Sequence, residues 1–142
     1  MSPPSADATA LSRQLRTLWG AVLGGAALVL AVMAWFAVTS EPSAPELAQP
    51  AFFGVAVLSL AGLVVALILM RTLENAETRT AVEVQQRALF AISAVDVTVV
   101  VAGVAALLTG DVLALAFGVP LFGFAAAFWP SEARVARWLG GR

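Results

Sequence analysis

The sequence predicts an all-α integral membrane protein, an up-down-up-down bundle of four transmembrane helices with both termini in the cytoplasm. Hydrophobic residues make up 61% of the 142-residue chain and charged residues only 12%, whereas a soluble domain is about 25% charged. The apolar residues form four long runs, and every basic residue lies in the N-terminal segment, the connection between the second and third runs, or the C-terminal tail. The bilayer is therefore the expected solvent, and residues 1–142 are expected to form a single transmembrane domain.

Four apolar segments are candidates to cross a bilayer, which takes about 20 helical residues. They occupy residues 17–38, 51–70, 88–108 and 112–129. The fourth is short and contains Pro120, which removes one helical hydrogen bond and is expected to free the carbonyl of Ala116. A secretory signal peptide is the alternative for the first segment, but the apolar run is too long for one and further spans follow it.

Polar segments flank the spans at both ends of the chain. Residues 1–11 are rich in Ser, Pro and Ala and are expected to be disordered. Residues 131–139 are expected to form a short interfacial helix, with Ser131 as its N-cap. The side chains expected to anchor this helix at anionic lipid headgroups are Arg134, Arg137 and Trp138.

The arginines predict the orientation of the spans. All eight basic residues lie in the N-terminal segment, the middle connection and the C-terminal tail: Arg13, Arg16, Arg71, Arg79, Arg87, Arg134, Arg137 and Arg142. The other two connections carry only Glu41, Glu46 and Asp111. Because short basic segments stay in the cytoplasm, both termini and the middle connection are expected there. Arginine without lysine, in a chain rich in Ala, Val, Leu and Gly, is typical of a bacterium with a GC-rich genome, so we expect the bacterial inner membrane.

The composition also excludes several kinds of chemistry. The chain has no Cys and no His, which excludes disulfides, thiolate metal sites, cysteine nucleophiles and histidine-ligated metals or haem. No nucleophile–base pair or metal cluster can be assembled from the remaining residues. We therefore expect no enzyme activity, no cofactor, no bound metal and no nucleic-acid partner. The expected partners are the lipid bilayer and either further copies of the chain or a larger membrane complex.

One acidic residue, Asp96, lies inside a predicted span. It is about eight residues into the third span, and at 1.5 Å per residue this is about 12 Å deep, near the midplane. A carboxylate at that depth costs about 2.5–3.5 kcal/mol. Gly25, Ser59 and Pro120 lie at similar depth in the other spans, and Ser93 is one turn before Asp96. We expect Gly25, Ser59, Asp96 and Pro120 to form a polar, loosely packed layer, with Ser93 beside it.

The sequence is compatible with three roles for Asp96. A protonatable acid without a basic counter-ion in any span is suited to a proton or cation step. A neutral Asp that hydrogen-bonds a serine or a backbone carbonyl would instead hold the helices together. The third role is contact with a partner protein. The leading hypothesis is a non-catalytic bundle that oligomerises or acts as an accessory subunit of a membrane complex, and the alternative is a small proton or cation channel or transporter.

Small residues at four-residue spacing mark three candidate packing faces, because such faces let helix backbones approach closely. The pairs are Gly20 with Gly24, Ala114 with Gly118, and Gly123 with Ala127. They are expected to pack either within one bundle or between copies in an oligomer.

The stretch from Arg87 to Glu132 carries a recognisable order of features. These are Arg87-Ala88-Leu89, the acidic Asp96, the turn Leu107-Leu108-Thr109-Gly110-Asp111 and the exit Pro130-Ser131-Glu132. In these residues the chain resembles the second half of a set of small, uncharacterised four-helix bacterial inner-membrane proteins, which implies a fold but no activity. The layout also resembles the duplicated proteolipid subunits of rotary ATPases, in which paired hairpins hold one buried acid. Those subunits carry the acid on the second helix of the hairpin and the connecting loop in the cytoplasm, whereas Asp96 is on a first helix, so the resemblance implies no rotary function here.

Overall fold

The computed structural model describes residues 6–75 and 80–140, and these residues form helices and short connections. The α-helices are α1 (Ala6–Thr39), α2 (Ala48–Glu74), α3 (Ala81–Thr109), α4 (Val119–Ala127) and α5 (Glu132–Trp138). Two 3-10 helices precede α2 and α4, at Pro45–Leu47 and at Val112–Gly118. We call the second of these the 3-10 segment.

Three helices are long and apolar enough to cross a membrane, and a pair of helical segments with a sharp bend between them is a fourth candidate. The three are α1, α2 with the 3-10 helix before it, and α3. The fourth candidate consists of Val112–Ala127 followed by α5, which is bent away by 84°. The first three predicted spans lie within α1, α2 and α3.

Helix α3 is at the centre of the bundle and packs against α1, α2 and the 3-10 segment. Two glycines allow the closest approaches. Gly62 of α2 lies against the backbone of Ala94 in α3, and Gly103 of α3 lies against the side chain of Met33 in α1. A Cβ at either position would lie within 3.0 Å of its neighbour. The close approach of each helix pair therefore requires glycine at that position.

The fourth segment is not a helix with a kink at Pro120. Its first half is the seven-residue 3-10 segment, and Pro120 lies in the first turn of the nine-residue α4. Proline is well tolerated there, because the N–H groups of the first turn have no helical partner. A 3-10 helix rises about 2.0 Å per residue against about 1.5 Å in an α-helix, so the two halves together reach about 28 Å. This length approaches the hydrocarbon thickness of about 30 Å in spite of the small number of residues.

Helix α1 begins earlier than the sequence predicts. Residues 6–11 were expected to be disordered but are helical, while residues 1–5 lie outside the described part of the chain. Ala8, Leu11, Leu15 and Trp19 are buried on one face of α1. Their spacing of three and four residues is that of an amphipathic helix, and burial of this face explains the extension.

Helix α5 begins where the sequence predicts but lies elsewhere. Ser131 caps it, with its side chain accepting a hydrogen bond from the backbone N–H of Arg134 at 3.3 Å. Val135 and Trp138 are fully buried against the core of the bundle. The structure thus places Trp138 in the protein interior rather than at a lipid surface, because the sharp bend before α5 turns its apolar face onto the other helices.

Candidate functional site

A hydrogen bond inside the bundle joins α2 to the break in the fourth segment. The buried Ser59 donates its hydroxyl to the backbone carbonyl of Phe117 at 3.1 Å. In a 3-10 helix each carbonyl accepts from the N–H three residues later, and the residue three after Phe117 is Pro120, which has no N–H. Ser59 therefore supplies a donor to the carbonyl that the proline deprives of one.

The carbonyl predicted from the sequence to be free was that of Ala116, one residue earlier, because Pro120 in an α-helix would remove the donor to Ala116. The 3-10 segment shifts the pattern, and the Ala116 carbonyl accepts from the N–H of Val119. Ser59 and Pro120, which were predicted to lie in one layer, are thus brought together through Phe117.

We expect Ser59→Ala to lower the free energy of unfolding by about 1–2 kcal/mol, because it removes a donor from the partly buried carbonyl of Phe117 in an apolar environment. Reversible unfolding in mixed dodecyl sulfate micelles would measure the change. Ser43→Ala, the same substitution in an exposed loop residue, is the control and should change stability by less than about 0.5 kcal/mol. Equal effects of the two substitutions would show that the Ser59 bond is unimportant.

Asp96 lies at the edge of the contact between α3 and α1. Gly103, seven residues further along α3, lies against Met33 of α1. Residues seven apart occupy nearly the same face of a helix, so Asp96 also faces α1. Its side chain is only partly buried, and it forms no hydrogen bond or ion pair with any residue in 6–75 or 80–140. The acid is therefore not joined to the Ser59 bond.

Ser93 is exposed on α3, one turn before Asp96. The threonine hydroxyls of the long helices donate to carbonyls of their own helix, as seen at Thr17, Thr39, Thr72, Thr98 and Thr109. Ser93 makes no such bond to the described residues. Two polar side chains at mid-span depth, Ser93 and Asp96, thus share a side of α3 without a partner in the described chain.

The predicted glycines divide into two groups. Gly118 is buried against Leu30 and Val99, so its small size is used within the bundle. The others are exposed, and a Cβ built on them would meet nothing within 4 Å: Gly20, Gly24, Gly25 and Gly123. The pair Ala114 and Gly118 therefore packs internally, while Gly25 stands at the surface and adds no buried contact to the expected polar layer.

A second polar cluster, which was not predicted from the sequence, joins the first turns of α1 to the bend before α5. The buried Ser12 donates to the carbonyl of Pro130 at 2.9 Å, and Arg16 Nε donates to the same carbonyl at 3.2 Å. Arg134 donates from one guanidinium nitrogen to the carbonyls of Ala127, at 2.7 Å, and Trp129, at 3.3 Å. We call this group, with Trp138, the terminal cluster.

Within the terminal cluster, Arg134 binds the C-terminal end of α4 instead of a lipid headgroup. Carbonyls at the C-terminal end of a helix lack N–H partners and attract cations. The guanidinium of Arg134 donates to such a carbonyl, that of Ala127 at the end of α4. Arg134 Nε also lies 3.9 Å from a carboxyl oxygen of Glu74 at the end of α2. Of the three predicted surface anchors, only Arg137 is exposed. The burial of Ser12 could have been predicted from its spacing with Ala8, Leu11 and Leu15, which places Ser12 on the apolar face of α1.

Comparison with known proteins adds no functional assignment. No protein-family model matches this chain, and no curated protein or solved structure is significantly similar to it. The function is therefore inferred from the described residues themselves.

Proposed function

We propose that this chain is a non-catalytic, four-pass membrane protein that assembles into an oligomer or serves as an accessory subunit of a larger membrane complex. The observation that carries the proposal is the pair Ser93 and Asp96, which lacks a hydrogen-bond partner among residues 6–75 and 80–140. The hydrocarbon region offers no water or other polar group to satisfy such side chains. Polar residues at this depth are expensive, and protein contacts normally satisfy them.

The proposed topology is up-down-up-down in the bacterial inner membrane, with both termini in the cytoplasm. Its support is the distribution of arginine together with the terminal cluster. Arg16, which precedes the first span, and Arg134, which follows the fourth, both bond to the bend around Pro130, and Arg134 also approaches Glu74 beyond the second span. Three segments assigned to the cytoplasm thus meet at one end of the bundle. Reporter fusions to the C-terminus and to the connection between α1 and α2 should report opposite sides of the membrane.

Replacing Asp96 with valine should weaken assembly, because it removes the group that requires a protein partner. The wild-type protein, extracted in a mild detergent, is expected to have a mass well above that of one 14.6 kDa chain, and Asp96→Val should shift the population toward smaller species. Native mass spectrometry measures both. Asp7→Val, at an exposed residue before the first span, is the control and should leave the mass unchanged. A wild-type protein that is a single chain under these conditions would contradict the proposal.

The second candidate function is a small proton or cation channel or transporter. Asp96 favours it, because the acid is partly exposed and has no basic partner among the described residues. Proteoliposomes that hold the wild-type protein would then show proton or cation flux, and Asp96→Asn would abolish it. Absence of flux from both proteins would remove this candidate.

A further inference from the structure

The outward side of the α1–α3 contact combines unpaired polar groups with open space. Met33 lies against Gly103, and two turns back along each helix Ala26 and Asp96 stand at the same level. Gly25, next to Ala26, is exposed and has nothing within 4 Å of its Cβ position. The surface beside Asp96 is therefore open at the level of the acid.

The inner side of the same contact is identified by the 3-10 segment, because Leu30 of α1 and Val99 of α3 both lie against Gly118. Gly25 lies about 140° around α1 from Leu30, since successive helical residues turn by about 100°. It therefore faces away from the core, as does the exposed Ser93 on α3. We call the resulting surface the α1–α3 groove, lined by Gly25, Val32, Ser93, Asp96 and Val100.

We propose that a second copy of this chain covers the α1–α3 groove, with Ser93 of each copy donating a hydrogen bond to Asp96 of the other across a two-fold axis normal to the membrane. This inference rests on the proposed function, because it names the partner that assembly requires. The flanking Val32 and Val100 are exposed and would supply apolar contact. Gly25 leaves room for the partner backbone beside the acid.

The surface of the α1–α3 groove is complementary to itself, which favours a second copy as its partner. A two-fold interface brings one patch against itself, so the patch must carry both a donor and an acceptor. Ser93 is one turn before Asp96, and helical side chains slope toward the helix N-terminus, so the carboxyl group reaches down to the level of Ser93. Copies of a membrane protein insert in the same orientation. Ser93 of one copy therefore lies at the same depth as the Asp96 carboxyl group of the other.

Other occupants fit the groove less well. Lipid chains would leave Ser93 and Asp96 without hydrogen bonds. A different protein that used a cation to pair with Asp96 would leave the Ser93 hydroxyl without a role. A second copy gives hydrogen bonds to both the Ser93 hydroxyl and the Asp96 carboxyl group, because it brings its own Asp96 and Ser93.

Site-directed cysteine cross-linking tests the groove directly, because the chain has no cysteine of its own. Leu89→Cys, Val100→Cys and Leu107→Cys are made singly on the groove side of α3 and oxidised in native membranes. We expect disulfide-linked dimers, strongest at Val100→Cys. Val64→Cys on α2 is the matched control, since Val64 is 46% and Val100 is 49% exposed, and it should give at least about tenfold less dimer. Dimers from Val64→Cys that equal or exceed those from all three groove variants, or no dimer from any groove variant, would overturn the proposal.

The hydrogen bonds are tested separately by the dimer dissociation constant in detergent micelles. Ser93→Ala removes both symmetric bonds and should raise the constant by about tenfold, which corresponds to about 1.4 kcal/mol. Ser43→Ala should leave it unchanged. An unchanged constant in Ser93→Ala would show that the two copies do not meet through this bond.

The outcomes separate the partner from the proposed function. A wild-type protein with the mass of one chain in membranes and in mild detergent overturns both. A stable complex with a different protein, without disulfide dimers in the groove variants, overturns the second copy but leaves the proposed function standing. Proton flux through a protein that forms no dimer overturns the second copy and supports the transport alternative.

Discussion

Replacing Trp138 with alanine is expected to lower the free energy of unfolding by about 3–5 kcal/mol, the range observed when a large buried aromatic side chain is truncated. Trp138 is fully buried and lies in the same core cluster as Leu15, Trp19 and Val135. Its removal would leave a cavity between α5 and the early turns of α1. Unfolding in mixed micelles, followed by near-ultraviolet circular dichroism, measures the loss.

The matched control is Trp35→Ala. Trp35 is 67% exposed, whereas Trp138 is 0% exposed, and an exposed position should change stability by about 0.5 kcal/mol or less. If the two substitutions had equal effects, Trp138 would be a surface anchor and α5 would not be part of the core. Trp138→Phe should lose much less than Trp138→Ala, because the ring volume is largely kept and the indole N–H has no hydrogen-bond partner in the described structure.

The position of α5 shows where sequence reasoning stops. The helix start at Ser131 could be predicted, because a capping serine is a local signal. The tail also has apolar residues on one side and arginines on the other, and this pattern is the same for a helix that lies on lipid and for one that folds back onto protein. The choice depends on the 84° bend and on the buried face of α1, and no local pattern specifies either.

The long helices could be predicted because a crossing needs a minimum number of apolar residues, and that requirement can be read directly along the chain. The start of α3 was also readable. Thr80 and Glu83 form a capping box in which each side chain bonds the backbone of the other, and this Thr-x-x-Glu spacing is a known signature.

The packing faces could not be predicted, because in a membrane both the lipid and the helix interface are apolar. Hydrophobic periodicity then no longer distinguishes the inside from the outside. Gly20 and Gly24 carry the familiar spacing yet are exposed, while Gly62, which was not singled out, makes the closest approach to α3. The expected polar layer was only partly correct. Ser59 bonds to the Phe117 carbonyl next to Pro120, but Asp96 faces α1 and is not part of that contact.

Gly62→Ala is the substitution that tests the closest of these approaches. A Cβ on Gly62 would lie 2.5 Å from the backbone oxygen of Ala94 and 3.3 Å from the Thr98 side chain. A backbone oxygen cannot rotate away as a flexible side chain does, so α2 and α3 must separate. Overpacking of this kind typically costs about 1–3 kcal/mol, and we expect a net loss in that range in spite of the better helix propensity of alanine.

Gly54→Ala in the same helix is the control, because a Cβ there has nothing within 4 Å. Alanine is favoured over glycine in a helix interior by up to about 1 kcal/mol, so Gly54→Ala should be neutral or slightly stabilising. The two substitutions add the same methyl group to α2, but only Gly62→Ala is expected to destabilise the protein. If Gly62→Ala were also neutral, α2 and α3 would not be in backbone contact at Ala94. The Ser59–Phe117 bond, which depends on how α2 packs against its neighbours, would then need another explanation.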